Sequence, residues 1–169
     1  MPDAGAARRF AERNMANLTD AMIDGVRVVP LPRIPDERGT IFRMLRRTDP
    51  HFVEFGEIYF TSIYRDVVKG WHRHAGLTLN YACIWGRIKL VLYDDREGSP
   101  TRGVLMERFL GPDDYSLVVI PPLVWNGMKG MTDIALVANC ATHPHDPSRT
   151  DRLDPSTEAI PYDWRVRNR

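Results

Sequence analysis

Twelve glycines and thirteen prolines punctuate the 169-residue chain, and they fall where short β-branched and aromatic runs end. Asp36–Glu37–Arg38–Gly39, Trp85–Gly86–Arg87, Gly111–Pro112–Asp113–Asp114 and Pro121–Pro122 are strong turn signals, as is the polar stretch 96–101. A chain broken this often cannot sustain a few long helices. The intervening runs predict strands over residues 26–31, 40–46, 55–62, 79–84, 87–94, 104–110, 115–120 and 134–140. Short strands in this number predict a single all-β sandwich or barrel. The exception is residues 6–22, where Ala7, Phe10, Ala11, Met15, Leu18 and Met22 recur at helical spacing. We therefore divide the chain into an N-terminal helical extension over 1–25 and a β domain over 26–169.

Composition narrows the function classes. The length fits one domain on the usual scale of about 100–200 residues. Lysine and arginine total 23 against 22 acidic residues, so the near-neutral charge gives no bulk attraction to nucleic acid or to an acidic membrane. Cys83 and Cys140 both lie in apolar runs and read as small buried hydrophobes, not as a disulfide framework. No stretch approaches the about 20 apolar residues that cross a bilayer, and the first residues lack the apolar core of a secretory signal. A soluble, cytoplasmic protein is expected.

The segment Lys69–Gly70–Trp71–His72–Arg73–His74 carries the first chemical signal. On a strand, His72 and His74 point to the same face, which is half a metal site. In cupin barrels the metal-binding version continues with a glutamate, a glycine turn and a later histidine. Here the turn is Gly86, but Leu79 occupies the glutamate position, and the later segment reads Pro121–Pro122–Leu123–Val124–Trp125–Asn126. Two imidazoles fall short of the usual three or four protein ligands. The expectation is a cupin-type jelly-roll barrel, with the extra N-terminal helix, that holds no metal and needs no cofactor. His143 and His145 remain the alternative source of missing ligands.

Several motifs then occur in a familiar order: Asp36-x-Arg38–Gly39, Lys69–Gly70–Trp71–His72, Asp95–Arg96, Ser99–Pro100–Thr101, Gly103, Leu110, Ile120–Pro121 and Trp164. Together they resemble the dTDP-4-dehydrorhamnose 3,5-epimerase family of cupins over roughly residues 26–164. The resemblance implies a metal-free jelly roll, ordinarily a homodimer, that inverts stereocentres beside the C4 ketone of a nucleotide-linked 4-keto-6-deoxyhexose. Such chemistry removes a proton from one face of a carbon acid, stabilises the enolate and returns a proton to the other face. His72 matches the family's base, and an imidazole titrates in the right range for that role. Lys69 replaces the family's arginine, keeping the cation and losing the bidentate fork. Arg38 matches an arginine that contacts the nucleotide diphosphate, and Glu57 stands where a glutamine reaches the substrate.

Other positions depart from the family. Leu79 replaces its ketone-polarising lysine, Asn126 replaces a histidine, and His145 aligns with the tyrosine that donates the proton. The aspartate that orients the base has no match after Trp164, which leaves Glu57, Asp154 and Asp163 as candidates. Trp71 adjoins the base and Trp125 adjoins Asn126. Both are therefore candidate stacking surfaces for a planar group, although such aromatics are more often core. His74 reads as a second pocket or surface residue. This pattern argues against the standard double epimerisation and is compatible with a single inversion, an isomerisation or a different substrate. Three readings follow. The first is a sugar-nucleotide epimerase with His72 as base and His145 or water as acid. The second is a cyclase or isomerase of a non-sugar secondary metabolite, with a pocket made apolar by Leu79 and the tryptophans. The third is a sugar-nucleotide-binding domain without catalysis.

Overall fold

A computed structural model of the chain describes residues 22–166. The helix expected over 6–22 lies outside the described residues except for its last position. Twelve strands follow: β1 (Arg27–Pro30), β2 (Arg33–Asp36), β3 (Gly39–Phe42), β4 (Glu57–Tyr64), β5 (Val68–His74), β6 (Leu79–Trp85), β7 (Ile88–Tyr93), β8 (Leu105–Leu110), β9 (Ser116–Ile120), β10 (Trp125–Gly130), β11 (Ile134–Ala141) and β12 (Thr150–Arg152). They form two five-stranded antiparallel sheets in the orders β1-β9-β6-β11-β4 and β12-β5-β10-β7-β8, with β2 and β3 as a separate hairpin. This is the all-β architecture that the turn spacing predicts, with the two packed sheets of a jelly roll. Strand β2 escapes the sequence pattern because Pro35 interrupts it, and β10 does so because Asn126, Gly127, Lys129 and Gly130 break its apolar run. The expected strand over 40–46 stops at Phe42, since the Asp49 carboxylate turns the following segment by binding the Arg46 N–H and the Arg43 side chain.

Side-chain alternation explains the layers. On β7, Ile88, Leu90 and Leu92 face the space between the sheets and join Leu79, Met106, Leu110, Val118 and Ile120. Val91 faces the other way, into a second cluster with Trp71, Trp125, Leu105, Ile160 and Trp164. The second sheet is therefore buried on both faces, its outer side covered by the segment that follows β12. That double burial is why β7 reads as an almost unbroken apolar run. Outside the first sheet, Ala82, Leu117 and Val119 lie under Leu31 and Tyr115, with Phe42, Met44 and Leu45 packed alongside. Cys83 and Cys140 are both buried free thiols.

The junction of β5 and β10 departs from regular pairing. Asn126 pairs with His72 while Met128 pairs with Lys69, so β5 carries one extra residue opposite β10. This is a β-bulge, which redirects side chains locally. The bulge spans Gly70 and Trp71, whose connecting peptide is cis. The two strands approach closely there: a Cβ on Gly70 would stand 2.9 Å from the Gly127 Cα, and one on Gly127 would stand 2.9 Å from a Trp164 ring carbon and 3.3 Å from Trp71. Glycine is thus required at 127 by packing. Gly127→Ala should cost about 1–3 kcal/mol, the usual penalty for overpacking a filled core. A lowered denaturant midpoint at unchanged slope is the expected readout.

Candidate active site

The apolar core does not fill all the space between the sheets. The remainder is a cavity of about 390 Å³ lined by Glu57, Tyr59 and Thr61 of β4, Lys69, His72 and His74 of β5, Tyr81, Asn126, Met128, Val137 and Asn139, with His145 and Arg152 at its margin. On β4 the lining residues follow the strand period of two. On β5 they do not. Lys69 and His72 are three apart and would face opposite sides of a regular strand, and the bulge is what turns both inward.

The structure thus brings together His72, Lys69, His145, Glu57 and Asn126 from the residues expected in the site. It separates the others. Trp71 is fully buried on the opposite side of β5, packed against Trp164 at 5.0 Å between ring centroids and edge-on to Tyr162 at 6.1 Å. Trp125 joins the same outer cluster. Its Nε1–H donates to Asp95, and the Arg73 guanidinium lies 4.6 Å from its ring. Each tryptophan neighbours a cavity residue in sequence and so occupies the other face of its strand. Arg38 sits on the β2–β3 hairpin, with its side chain 83% exposed and ion-paired to Asp36, and does not line the cavity of its own chain. Leu79 belongs to the apolar core. With the tryptophans elsewhere, the side chains that line the cavity are mostly ones that carry polar groups, Met128 and Val137 apart, and neither Leu79 nor a tryptophan makes the pocket apolar as the non-sugar reading expects.

Hydrogen bonds fix several lining groups. The Asn126 Nδ2–H donates to the His72 carbonyl at 2.9 Å, so its Oδ1 is the acceptor for the Tyr81 hydroxyl at 3.2 Å. The Asn139 Oδ1 accepts the Asn80 backbone N–H at 3.1 Å, and its Nδ2–H donates to the Tyr59 Oη at 2.9 Å. Thr150 spends its hydroxyl hydrogen on the Asp146 carbonyl, so its oxygen accepts from His74, which carries its proton on Nδ1. The Glu57 carboxylate accepts the His145 backbone N–H at 2.9 Å, while the His145 ring lies edge-on to His74, 5.7 Å between centroids.

No carboxylate among the described residues hydrogen-bonds the His72 ring. Glu57 holds the backbone of His145, Asp154 accepts from Ser156, and Asp163 pairs with Arg165. The His72 pKa is instead lowered, first by burial and then by the charges of Arg152, His145 and Lys69. Burial, with His145, His72 and Arg152 nearby, lowers His74 further, to about 4. At neutral pH both imidazoles are uncharged in a cavity whose cations are Lys69 and Arg152. Among the described residues no group of three or more His, Cys, Asp or Glu side chains is placed to hold a metal ion.

Sequence reasoning overlooked Tyr59, Tyr81, Asn139 and Arg152. Tyr59 lies within an expected strand at the same parity as Glu57, and that parity was the available signal. Arg152 had none, because β12 is three residues long and its place is set by pairing with β5.

The sequence profile of the dTDP-4-dehydrorhamnose 3,5-epimerase family matches residues 20–169. The chain belongs to this family of sugar-nucleotide epimerases. A probable low-salt glycan biosynthesis epimerase of Haloferax volcanii is 35% identical over 144 residues, 83% of this chain and 89% of that protein. A spore coat polysaccharide biosynthesis protein of Bacillus subtilis is 32% identical over 147 residues, covering 85% and 97% respectively. The crystal structure of a dTDP sugar isomerase from Desulfovibrio desulfuricans superposes with a TM-score of 0.82 at 42% identity, over 84% of this chain and 92% of that one.

The depressed histidines have a consequence for stability. Between pH 6.5 and about 4 the unfolded chain protonates His74 while the folded chain does not, so the unfolded state binds more protons and is favoured as pH falls. The unfolding midpoint should be flat above pH 6.5 with respect to this group and decline below it. His74→Gln should reduce that decline, measured by denaturant titration across the interval.

Proposed function

We propose that the cavity is the active site of an epimerase acting beside the carbonyl of a dTDP-linked 4-keto-6-deoxyhexose, with His72 as the base. The observation that carries this proposal is the convergence of an uncharged imidazole and two cationic side chains, Lys69 and Arg152, on one polar cavity. A neutral imidazole has a lone pair to take the carbon-bound proton. The cations stand where negative charge needs support, on the enolate oxygen as it forms or on the diphosphate. They take over the part that the family's lysine plays at the position of Leu79. Glu57 and Asn126 border the same space and serve as substrate contacts. The wall opposite β5 contributes Tyr59, and the cavity also holds Tyr81 and His145 as further proton-bearing groups.

A homodimer is part of the proposal. Ile58, Phe60 and Tyr64 project from the outer side of β4, an edge strand, and are 50%, 57% and 65% exposed. Ile34 and Ile41 are similarly exposed on the hairpin. Apolar surface of this extent at a sheet edge suits association with a second copy. Arg38, remote from its own chain's cavity lining, would enter the site only through such a partner.

Two measurements test these statements. In deuterated water, the wild-type protein should exchange a ring proton of dTDP-4-keto-6-deoxyglucose for deuterium, and His72→Asn should slow exchange by about 10²–10⁴-fold, the usual contribution of a general base. Because His72 acts uncharged, the exchange rate should rise with pH through a midpoint below 6.5 and then level. Burial and the charges of Arg152, His145 and Lys69 all act on the His72 pKa in the same, downward direction, while the Glu57 carboxylate, which also lines the cavity, is held on the His145 backbone N–H. Equal exchange in His72→Asn would exclude the base assignment. Light scattering should give twice the chain mass, and charged substitutions at Phe60 and Tyr64 should return the protein to monomer.

A further inference from the structure

Epimerisation needs a proton donor on the face of the reacting carbon away from the base, and hydrogen-bond direction separates the three candidates in the cavity. Tyr81 is excluded first. Asn126 must present its Nδ2–H to the His72 carbonyl, since a carbonyl only accepts, so its Oδ1 takes the Tyr81 hydroxyl hydrogen. That proton is committed. His145 is disfavoured by position. Its ring packs edge-on to His74, two residues from the base on the same face of β5, whereas the donor must stand on the opposite side of the substrate.

Tyr59 meets both requirements. It projects from β4 in the first sheet, whereas His72 projects from β5 in the second, so the two face each other across the cavity. Its hydrogen bond runs the opposite way to that of Tyr81. The Asn80 backbone N–H can only donate, which fixes the Asn139 Oδ1 as acceptor and turns the Asn139 Nδ2–H toward the phenol. Asn139 is fully buried and sits directly opposite Tyr59 in the β4–β11 register, so this orientation is held from both sides. The Tyr59 oxygen accepts, and its own hydrogen remains available to the cavity.

We propose that Tyr59 is the proton donor, delivering its phenolic hydrogen to the face of the reacting carbon opposite His72, with Asn139 as its positioning residue. In the forward step the His72 imidazole takes the C–H proton and the bonding pair moves into the enolate, placing negative charge on the ketone oxygen. The enolate then takes the Tyr59 proton on its other face. The phenolate left behind accepts the Asn139 N–H bond and regains a proton from solvent, while His72 releases its proton to solvent. Burial and the Glu57 charge raise the Tyr59 pKa, which keeps the phenol protonated at neutral pH.

The assignment rests on the epimerase reading, and one experiment separates the two. Wild type, Tyr59→Phe, His145→Gln and Asn139→Asp are incubated with dTDP-4-keto-6-deoxyglucose in deuterated water, with deuterium incorporation and configuration followed separately by NMR. In Tyr59→Phe, inversion should fall by about 10²-fold or more, as for loss of a general acid. Exchange should stay within a few-fold of wild type, because His72 still removes the proton and returns a deuteron to the same face. Asn139→Asp replaces the N–H donor by a carboxylate that captures the phenol hydrogen, and should lower the ratio of inversion to exchange while leaving Tyr59 in place. A merely structural defect would depress both signals together. Inversion preserved in Tyr59→Phe, inversion lost only in His145→Gln, or parallel loss of both signals in a folded Tyr59→Phe would each overturn the donor assignment. Should Tyr59→Phe fail to fold, an unchanged ratio in Asn139→Asp overturns it. Absence of exchange and inversion in the wild type would overturn the epimerase reading itself.

Discussion

The site depends on how β5 lies against β10. One extra residue in β5 places Lys69 and His72 in the cavity and sends Trp71 outward. The same contact fixes the backbone on which the chemistry hangs: Gly70 lies against Gly127, Gly127 lies against Trp164, and Asn126 holds the His72 carbonyl. Regular pairing would have turned either the lysine or the imidazole out of the cavity. The tryptophans are therefore not bystanders to the site. Their rings fill the outer layer against which the bulge is pressed, so they shape the cavity from the side that substrate never reaches.

Electrostatics inside the cavity follow from burial and from the fact that, among the described residues, no carboxylate hydrogen-bonds the His72 ring. An imidazole hydrogen-bonded to aspartate would have its protonated form stabilised, whereas His72 is surrounded by Lys69, Arg152 and His145 and has its neutral form favoured. Such a base is weaker but fully available at neutral pH. In the proposed reaction the same cations that depress its pKa would stabilise the enolate that His72 generates. A weaker base is thus offset by stronger support for its product, and both effects come from one arrangement of charge.

The fold was legible to the extent that it is written in period-two alternation and in turns. Strands β6, β7, β8, β9 and β11 follow from runs such as Ile88–Tyr93, because two-sided burial demands continuous apolar sequence. The hairpin strand β2 was hidden because Pro35 interrupts its pattern, and the Gly-rich β10 because its place is set by β5 and β7, partners distant in sequence. In the site, His72 with His74 followed directly from alternation. Trp71 and Trp125 were misjudged by the same rule left unapplied: adjacency to a cavity residue on a strand places a side chain on the other face. Lys69 reaches the cavity for a reason no pattern displays, since a bulge is a property of two strands and not of one.

Replacement of the family's catalytic partners need not abolish its chemistry, because the reaction fixes charges and proton positions, not residue names. A cation is required near the ketone oxygen. Here Leu79 leaves that part of β6 apolar, and Lys69 and Arg152 bring charge from β5 and β12. A donor is required across from the base, and a phenol on β4 is turned toward that space by an amide whose direction a backbone N–H dictates. Asn126 stands where the family has a histidine and could not shuttle a proton, yet it occupies both its hydrogen-bonding ends in holding Tyr81 and the base strand. On the proposed roles, the polar groups of the wall are divided between those that move protons and those that fix geometry. Which of two tyrosines belongs to which set is decided by the direction of a single hydrogen bond.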